Sequence, residues 1–395
     1  MAAAPKRRSI LSISKIFLLS VGMWKLELPF RHPAAVKFYS VFSKLMPGYF
    51  AMLALSMSVQ FAITLTTNFS NPDLFKHLSF VIIIGTAYYV TLVIRSDGFV
   101  ELISRVEREE KRLARSEVAE ILLSHLKVIR FSNAVGTTFL ALSICTGAAL
   151  IWENFWSNMK VLNYNKKYNT SLVRPILIDL YFFNLNKRKH ETLMLIVTEI
   201  MLVINTHVVS STKVIVYTCI MFAASALRCL QIRFRKLGLR QEDALADLKL
   251  LIQEHQEVIE FVENLNKSIK YLLLFEYFLH SLNVAAVSVQ VLTYDSKMLM
   301  RPACYLTFVL VQVFILGLVT DEIKVESLAL SDALYDSPWY NQNKTCRKML
   351  RIVMIRAQRP LELTIGPFNP MTMESALAIL KASYSYVTLI SQNAQ

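Results

Sequence analysis

Four residues near the C-terminus, Ser385, Thr388, Leu389 and Gln392, recur at helical spacing and so share one helix face. That face carries two hydroxyls, a bulky apolar group and an amide. Repeated around a ring, it can pass ions: Leu389 forms an apolar constriction that closes by excluding water, and the Gln392 amide oxygen offers itself to a partly dehydrated cation. The same stripe also suits packing against neighbouring helices, where small and polar side chains are favoured. Glu374 is the lone carboxylate on this segment, so strong charge selection is not expected from it.

Other reactive groups form no catalytic pattern. The chain has no His-Glu-x-x-His motif, no paired aspartates at helical spacing in its apolar runs, and only 9 glycines, none in a phosphate-cradling loop. An enzyme is not expected. His207 and His280 lie within apolar runs, where each can bind a ligand oxygen or serve as a hydrogen-bonded structural group. Cys145, Cys219, Cys229, Cys304 and Cys346 show no close pairing pattern, which implies neither a disulfide framework nor a metal site. No cofactor is implied.

The elements that position these residues follow from composition. Hydrophobic residues are 54% and charged residues 18% of the chain, with a mean hydropathy of +0.41. That balance is too apolar for a water-soluble core-and-shell protein. A backbone in lipid must satisfy its own hydrogen bonds, and the uninterrupted apolar runs match helices rather than barrel strands. The fold class is therefore all-α and polytopic. Seven spans are expected at about 38–66, 77–94, 128–152, 191–235, 265–294, 302–324 and 370–391, in a single domain covering 1–395. Lys and Arg exceed Asp and Glu to give a net charge of +14, but the excess sits in loops between the runs, so no nucleic-acid partner is expected.

Loop charge sets the orientation. The segment 95–130 carries Arg95, Arg105, Arg108, Lys111, Arg112, Arg115, Lys127 and Arg130, whereas 67–76 carries Lys76 alone. Positive charge marks the cytoplasmic side, which places the N-terminus inside and the C-terminus outside. The glycosylation sequons at Asn68 and Asn169 then face out, and those at Asn266 and Asn343 face in as chance matches. Segment 10–28 reads as a helix at the cytoplasmic interface with Trp24 near the headgroups, not as a cleaved signal peptide. The run 191–235 is about twice a bilayer thickness at ~1.5 Å per residue. It is read as one projecting helix, because no Gly or Pro supplies a turn near Ser210, Ser211, Thr212 and Lys213.

Two cytoplasmic helices are expected as well. Segment 240–264 is polar but periodic and extends the fifth span inward. In 341–358, Leu350, Val353, Met354 and Ala357 share a face, with Arg347, Lys348, Arg351 and Arg356 around it. This helix either rests on anionic lipid or serves as a subunit contact. Pro367 and Pro370 bend the chain before the last span, as a plain connector or as a transmitter of motion. Asp321 and Glu322 suggest interface or subunit-contact groups at the end of the sixth span.

Three stretches carry a resemblance: Ala333-Leu-Tyr-Asp-Ser-Pro-Trp-Tyr340, Met354-Ile-Arg-Ala-Gln-Arg-Pro-Leu361 and Leu380-Lys-Ala-Ser-Tyr-Ser-Tyr386, with His255-Gln-Glu-Val-Ile-Glu-Phe261 earlier in the chain. In this order near the chain end they resemble the insect odorant receptors, over roughly 240–395. That resemblance implies a ligand-gated cation channel passing monovalent and divalent cations. It further implies a tetramer in which an odorant-binding subunit joins an obligate co-receptor, in the plasma membrane of olfactory sensory neuron dendrites. The co-receptor has a longer insertion between spans four and five, so this chain resembles the odorant-tuned partner. Leu389 and Gln392 correspond to the family's gate and pore glutamine.

The resemblance also implies a mostly apolar pocket for a small volatile molecule in the outer halves of spans two to six. Those halves offer Phe80, Ile84, Cys145, Ala149, Trp152, Met201, Ile204, Phe278, Leu282 and Asn283. Any single one of these residues more often serves ordinary helix packing. A gustatory-type homomeric channel of the same fold is the nearest alternative. A secondary transporter is a remoter one, since no inverted repeat is visible.

Overall fold

Residues 9–29, 32–67, 73–113, 118–170, 172, 191–237, 244–293 and 300–393 are described in the computed structural model of the chain. They form α1 (Ser12–Ser20), α2 (Pro33–Thr67), α3 (Asp73–Arg95), α4 (Asp97–Leu113), α5 (Ala119–Tyr168), α6 (Glu191–Arg235), α7 (Ala244–Thr293), α8 (Met300–Tyr335), α9 (Lys344–Ala357) and α10 (Met373–Asn393). Among the described residues the only extended pairing is an isolated bridge between Thr364 and Pro370. By length and composition, α2, α5, α6 and α8 each carry a stretch able to cross a membrane.

The central helix is α6. It packs on α1, α3, α5, α7 and α8, and from Val208 to Leu230 almost every side chain is buried. A helix that is apolar all round must be surrounded by protein or lipid. Here it is surrounded by protein, and Phe139 of α5 stacks edge-on against both Tyr217 of α6 and Phe308 of α8. The run 191–235 is one helix without a turn at Ser210 to Lys213. Ser211, Thr212 and Thr218 bond carbonyls of their own preceding turn, so these polar residues do not compete with the helix.

Two expectations are corrected at the N-terminal half. The 10–28 segment is helical only over α1, Ser12–Ser20, and that short helix packs against α5 and α6. Ser14 bonds Thr218 at 2.8 Å and Ser20 bonds His207 at 2.7 Å. Trp24 is enclosed by protein, with Tyr39 bonding its backbone, instead of sitting among headgroups. The segment 95–130 is not a loop either. It holds α4, whose Phe99, Leu102, Ile103 and Val106 form one buried face, and the first turns of α5. The Glu110 carboxylate of α4 accepts Ile10 N–H at 2.6 Å and the Ser9 hydroxyl at 2.5 Å, tying the entering chain to the bundle.

At the other end, α9 uses its apolar face inside the chain. Leu350, Val353 and Ala357 are buried with Leu230 and Phe234 of α6, Leu248 and Leu251 of α7, and Leu330 and Leu334 of α8. Met354 is partly buried against the same cluster. This corrects the subunit-contact reading of that face: it is closed by the chain's own helices, while Ile352 and Ile355 are the apolar residues of α9 left exposed.

The bend between α9 and α10 is pinned, not free. Leu361 N–H bonds Ser327 Oγ at 2.9 Å, Thr364 N–H bonds Asn266 Oδ1 at 2.9 Å, and Gly366 N–H bonds the Lys270 carbonyl at 2.8 Å. Gly366 takes φ of +59° where a Cβ would meet Leu274, a conformation and space that favour glycine. Two sequon asparagines thus have structural work: Asn266 holds this bend, and Asn343 caps α9 by accepting Cys346 N–H at 2.8 Å. Asn169 ends α5 in a left-handed conformation, and Asn68 lies outside the described residues.

His255 of α7 is buried at 5% exposure, on the inward extension of that helix. Burial, and secondarily the Arg356 charge of α9, push its pKa down to about 4. An unfolded histidine takes up a proton below about 6.5, so between those values the unfolded chain binds more protons. Stability therefore falls as pH drops through that window, by about 2 kcal/mol at pH 5. Thermal melts at pH 7 and pH 5 check this: H255Q should lose less than the parent on acidification, and an equal loss would refute the assignment.

Candidate functional site

The last helix has two unlike sides. Ala376, Ile379 and Ser383 are buried; Ser383 Oγ donates to the Ser281 carbonyl of α7 at 3.0 Å, and Gly317 of α8 lies against Ala376 and Met373. On the opposite side Glu374, Leu377, Ala378, Lys381, Tyr384 and Ser385 are exposed and Thr388 is half-buried. Ser385 therefore points away from the chain's own bundle while Thr388 is only partly exposed, and both hydroxyls bond carbonyls of the preceding turn. Leu389 and Gln392 belong to α10, and their side chains lie outside the described set.

Among the described residues, the outer-half positions are not brought together as one pocket. Ile84 of α3 and Met201 of α6 do meet, in an apolar cluster with Leu53, Met57 and Leu202. Ala149 is buried and Asn283 half-buried. Cys145, Trp152, Ile204, Phe278 and Leu282 turn outward instead, Phe278 being 58% and Trp152 54% exposed. The side chain of Phe80 lies outside the described set. The resemblance grouped these positions by their depth in the spans, and hydropathy marks a residue as apolar without telling whether its face meets protein or lipid.

Sequence reasoning also missed a buried polar cluster. Lys213 sits midway along α6 at 8% exposure, with its ammonium 2.5 Å from Gln312 Oε1 of α8 and 3.6 Å from Glu276 Oε1 of α7. His280 Nε2 is 3.4 Å away, and its Nδ1 has no partner. One lysine inside a long apolar run signals such a partner, since an ionised group at membrane depth must be paired or wet. His280 thus has a structural polar partner, as does His207 through Ser20.

Below this cluster lies a second set of charges. Arg228 of α6 bonds Glu322 and Glu326 of α8, and Glu254 of α7 bonds both Arg112 of α4 and Arg233 of α6. Glu322 is therefore engaged inside the chain rather than held free for a partner. Beside Glu254, a cleft of about 80 Å³ opens between α4, α6 and α7 over Phe222 and Phe261. All five cysteines are free thiols.

Comparisons with known proteins extend well beyond the C-terminal stretches. Residues 70–384 match the family model described as 7tm Odorant receptor. Odorant receptor 10 of Aedes albopictus is 32% identical over 152 residues, 38% of this chain and 40% of that protein. Odorant receptor Or2 of Anopheles gambiae is 29% identical over 186 residues, 44% of this chain and 49% of that protein. The matches thus span half or less of those relatives' length. Among solved structures, the insect olfactory receptor OR5 from Machilis hrabei superposes with a TM-score of 0.79 at 17% identity, covering 96% of this chain and 97% of that one. Its complex with eugenol gives a TM-score of 0.78 at 16% identity, covering 97% of both.

Proposed function

Because the chain belongs to the 7tm odorant receptor family, we propose that it is an odorant-tuned subunit of a ligand-gated, non-selective cation channel. The observation that carries the channel reading is the two-sided last helix. One side packs on α7 and α8, while the other presents Glu374, Lys381 and Ser385 away from the bundle, with Thr388 half-buried beside them. A polar face turned from both core and neighbouring helices suits an aqueous path shared among subunits. Leu389, one turn past Ser385, then acts as the apolar gate and Gln392 as the amide that meets the ion.

On this reading the ligand is a small, mostly apolar volatile molecule held in the outer half of the bundle. The Ile84–Met201 cluster between α2, α3 and α6 supports an apolar wall there. The positive charge of the segment 95–130 between the second and third spans supports an inward N-terminus and an outward C-terminus. The short connection between α6 and α7 supports the tuned subunit rather than the co-receptor, so the working assembly is a hetero-oligomer with that partner. It would sit in the plasma membrane of sensory dendrites.

Co-expression with a co-receptor, an odorant panel and current recording tests the proposal. Odorant-evoked cation current is the expected result; a chain that reaches the surface and stays silent to every odorant would count against it. An epitope after Gln395 should be stained in intact cells. A gustatory-type homomer remains the second reading, and it predicts current and native complex mass unchanged when the co-receptor is omitted.

A further inference from the structure

Lys381 lies on the exposed side of α10, where it continues the polar stripe inward. Steps of seven, four, three and four residues connect Glu374, Lys381, Ser385, Thr388 and Gln392, which keeps all five within a narrow angular strip of one helix. Ala376, Ile379 and Ser383 occupy the opposite, buried side. Lys381 is thus the cationic member of the face that the channel reading assigns to the ion path.

Its depth makes the assignment informative. Lys381 stands eight residues after Met373 and twelve before Asn393, so it is ~12 Å from the inner end of the helix and ~18 Å from the outer end. A lysine stem spans about half the shorter distance, too little for the ammonium to snorkel back to the inner leaflet. Facing lipid there is costly for a charged amine, and intramembrane lysines lie against protein partners or water. Among the described residues Lys381 has no ion-pair partner. Glu374, the carboxylate two turns below, lies at the inner end within the field of Lys324, which is itself paired to Glu362 at 2.8 Å.

We propose that Lys381 faces the water of the ion path on the cytoplasmic side of the Leu389 constriction and lowers the permeation of divalent relative to monovalent cations. The proposal rests on the channel reading and adds a selectivity-setting residue to it. Repulsion scales with ion charge. For a charge ~8 Å from the axis in a water-like medium, the added penalty on a divalent ion is about two-fold in occupancy, and it grows where low-dielectric walls focus the field.

Two measurements test it. In the co-expressed channel, K381Q should raise the calcium-to-sodium permeability ratio about two- to five-fold and K381E further. K381R should leave the ratio unchanged, and none of the three should alter the half-activating odorant concentration. An unchanged ratio in K381Q channels that reach the surface and conduct would overturn the proposal. The second measurement needs no current: K381C in membranes open to the cytoplasmic side should react with a water-soluble maleimide faster than the unsubstituted parent. No added labelling, as for a lysine buried in lipid or against a neighbouring subunit, would overturn it too. A parent channel silent to all odorants, with K381C labelled, would remove the channel reading while leaving Lys381 water-facing.

Discussion

Lys213→Met should leave little folded protein. The lysine ammonium is held by Gln312 and Glu276 in the interior, three helices meeting at one charge. Removing it strands the Glu276 carboxylate, 6% exposed, without its counter-charge. Breaking one side of a buried ion pair costs about 3–5 kcal/mol, a large share of the 5–15 kcal/mol that keeps a typical domain folded. Met fills the space of the lysine stem, so packing is nearly conserved and the loss is electrostatic. The double variant K213M/E276Q removes both charges and should recover part of the loss. Melting temperature in detergent and surface abundance read both variants. If K213M melts with the parent protein, or the double variant is worse than the single ones combined, the pair is not a stabilising unit.

Gly317→Ala should unseat the last helix. A Cβ built at Gly317 would stand 2.8 Å from Ala376 Cβ, 3.1 Å from Met373 Sδ and 3.3 Å from Met373 Cα. Alanine gains up to about 1 kcal/mol of helix propensity over glycine, but overpacking of this kind costs about 1–3 kcal/mol. Because one obstacle is backbone, the clash is relieved chiefly by moving α10 away from α8. Loss of stability together with altered ligand-free current is the expected outcome, and Gly317→Leu should be worse. Ala376→Gly in the G317A background removes the nearest atom and should restore part of both. Rescue by that small-residue change on the facing helix separates displacement of α10 from a general defect in α8, so G317A behaving like the parent, or no rescue, would refute the close-approach argument.

Much of the helix layout is legible from hydropathy, since lipid and a helical core both demand long apolar runs. Orientation of faces is not. Phe278 and Leu282 of α7 lie at the depth where the resemblance implies a pocket, yet both are exposed, because in a membrane protein an apolar side chain is as comfortable against lipid as against a neighbour. Amphipathic α4 was hidden by its own charge: Glu101, Arg105, Arg108 and Glu109 mask the apolar spacing of Phe99, Leu102, Ile103 and Val106. The α9 face was legible as a stripe but not as to its partner, which α6, α7 and α8 supply over long sequence separations. For the candidate ion path, the spacing of Ser385 and Thr388 already implied a shared face. What the structure adds is that this face turns from the bundle and that Lys381 belongs to it.

The short α1 helix and its flanks meet residues far along the chain, with Ile10 on Glu110, Ser14 on Thr218 and Ser20 on His207. A ribosome releases these opening residues long before the ones that receive them. The α1 segment must therefore wait beside the insertion machinery, unhoused, until α6, the fourth span, has been threaded, so it settles well after it is made.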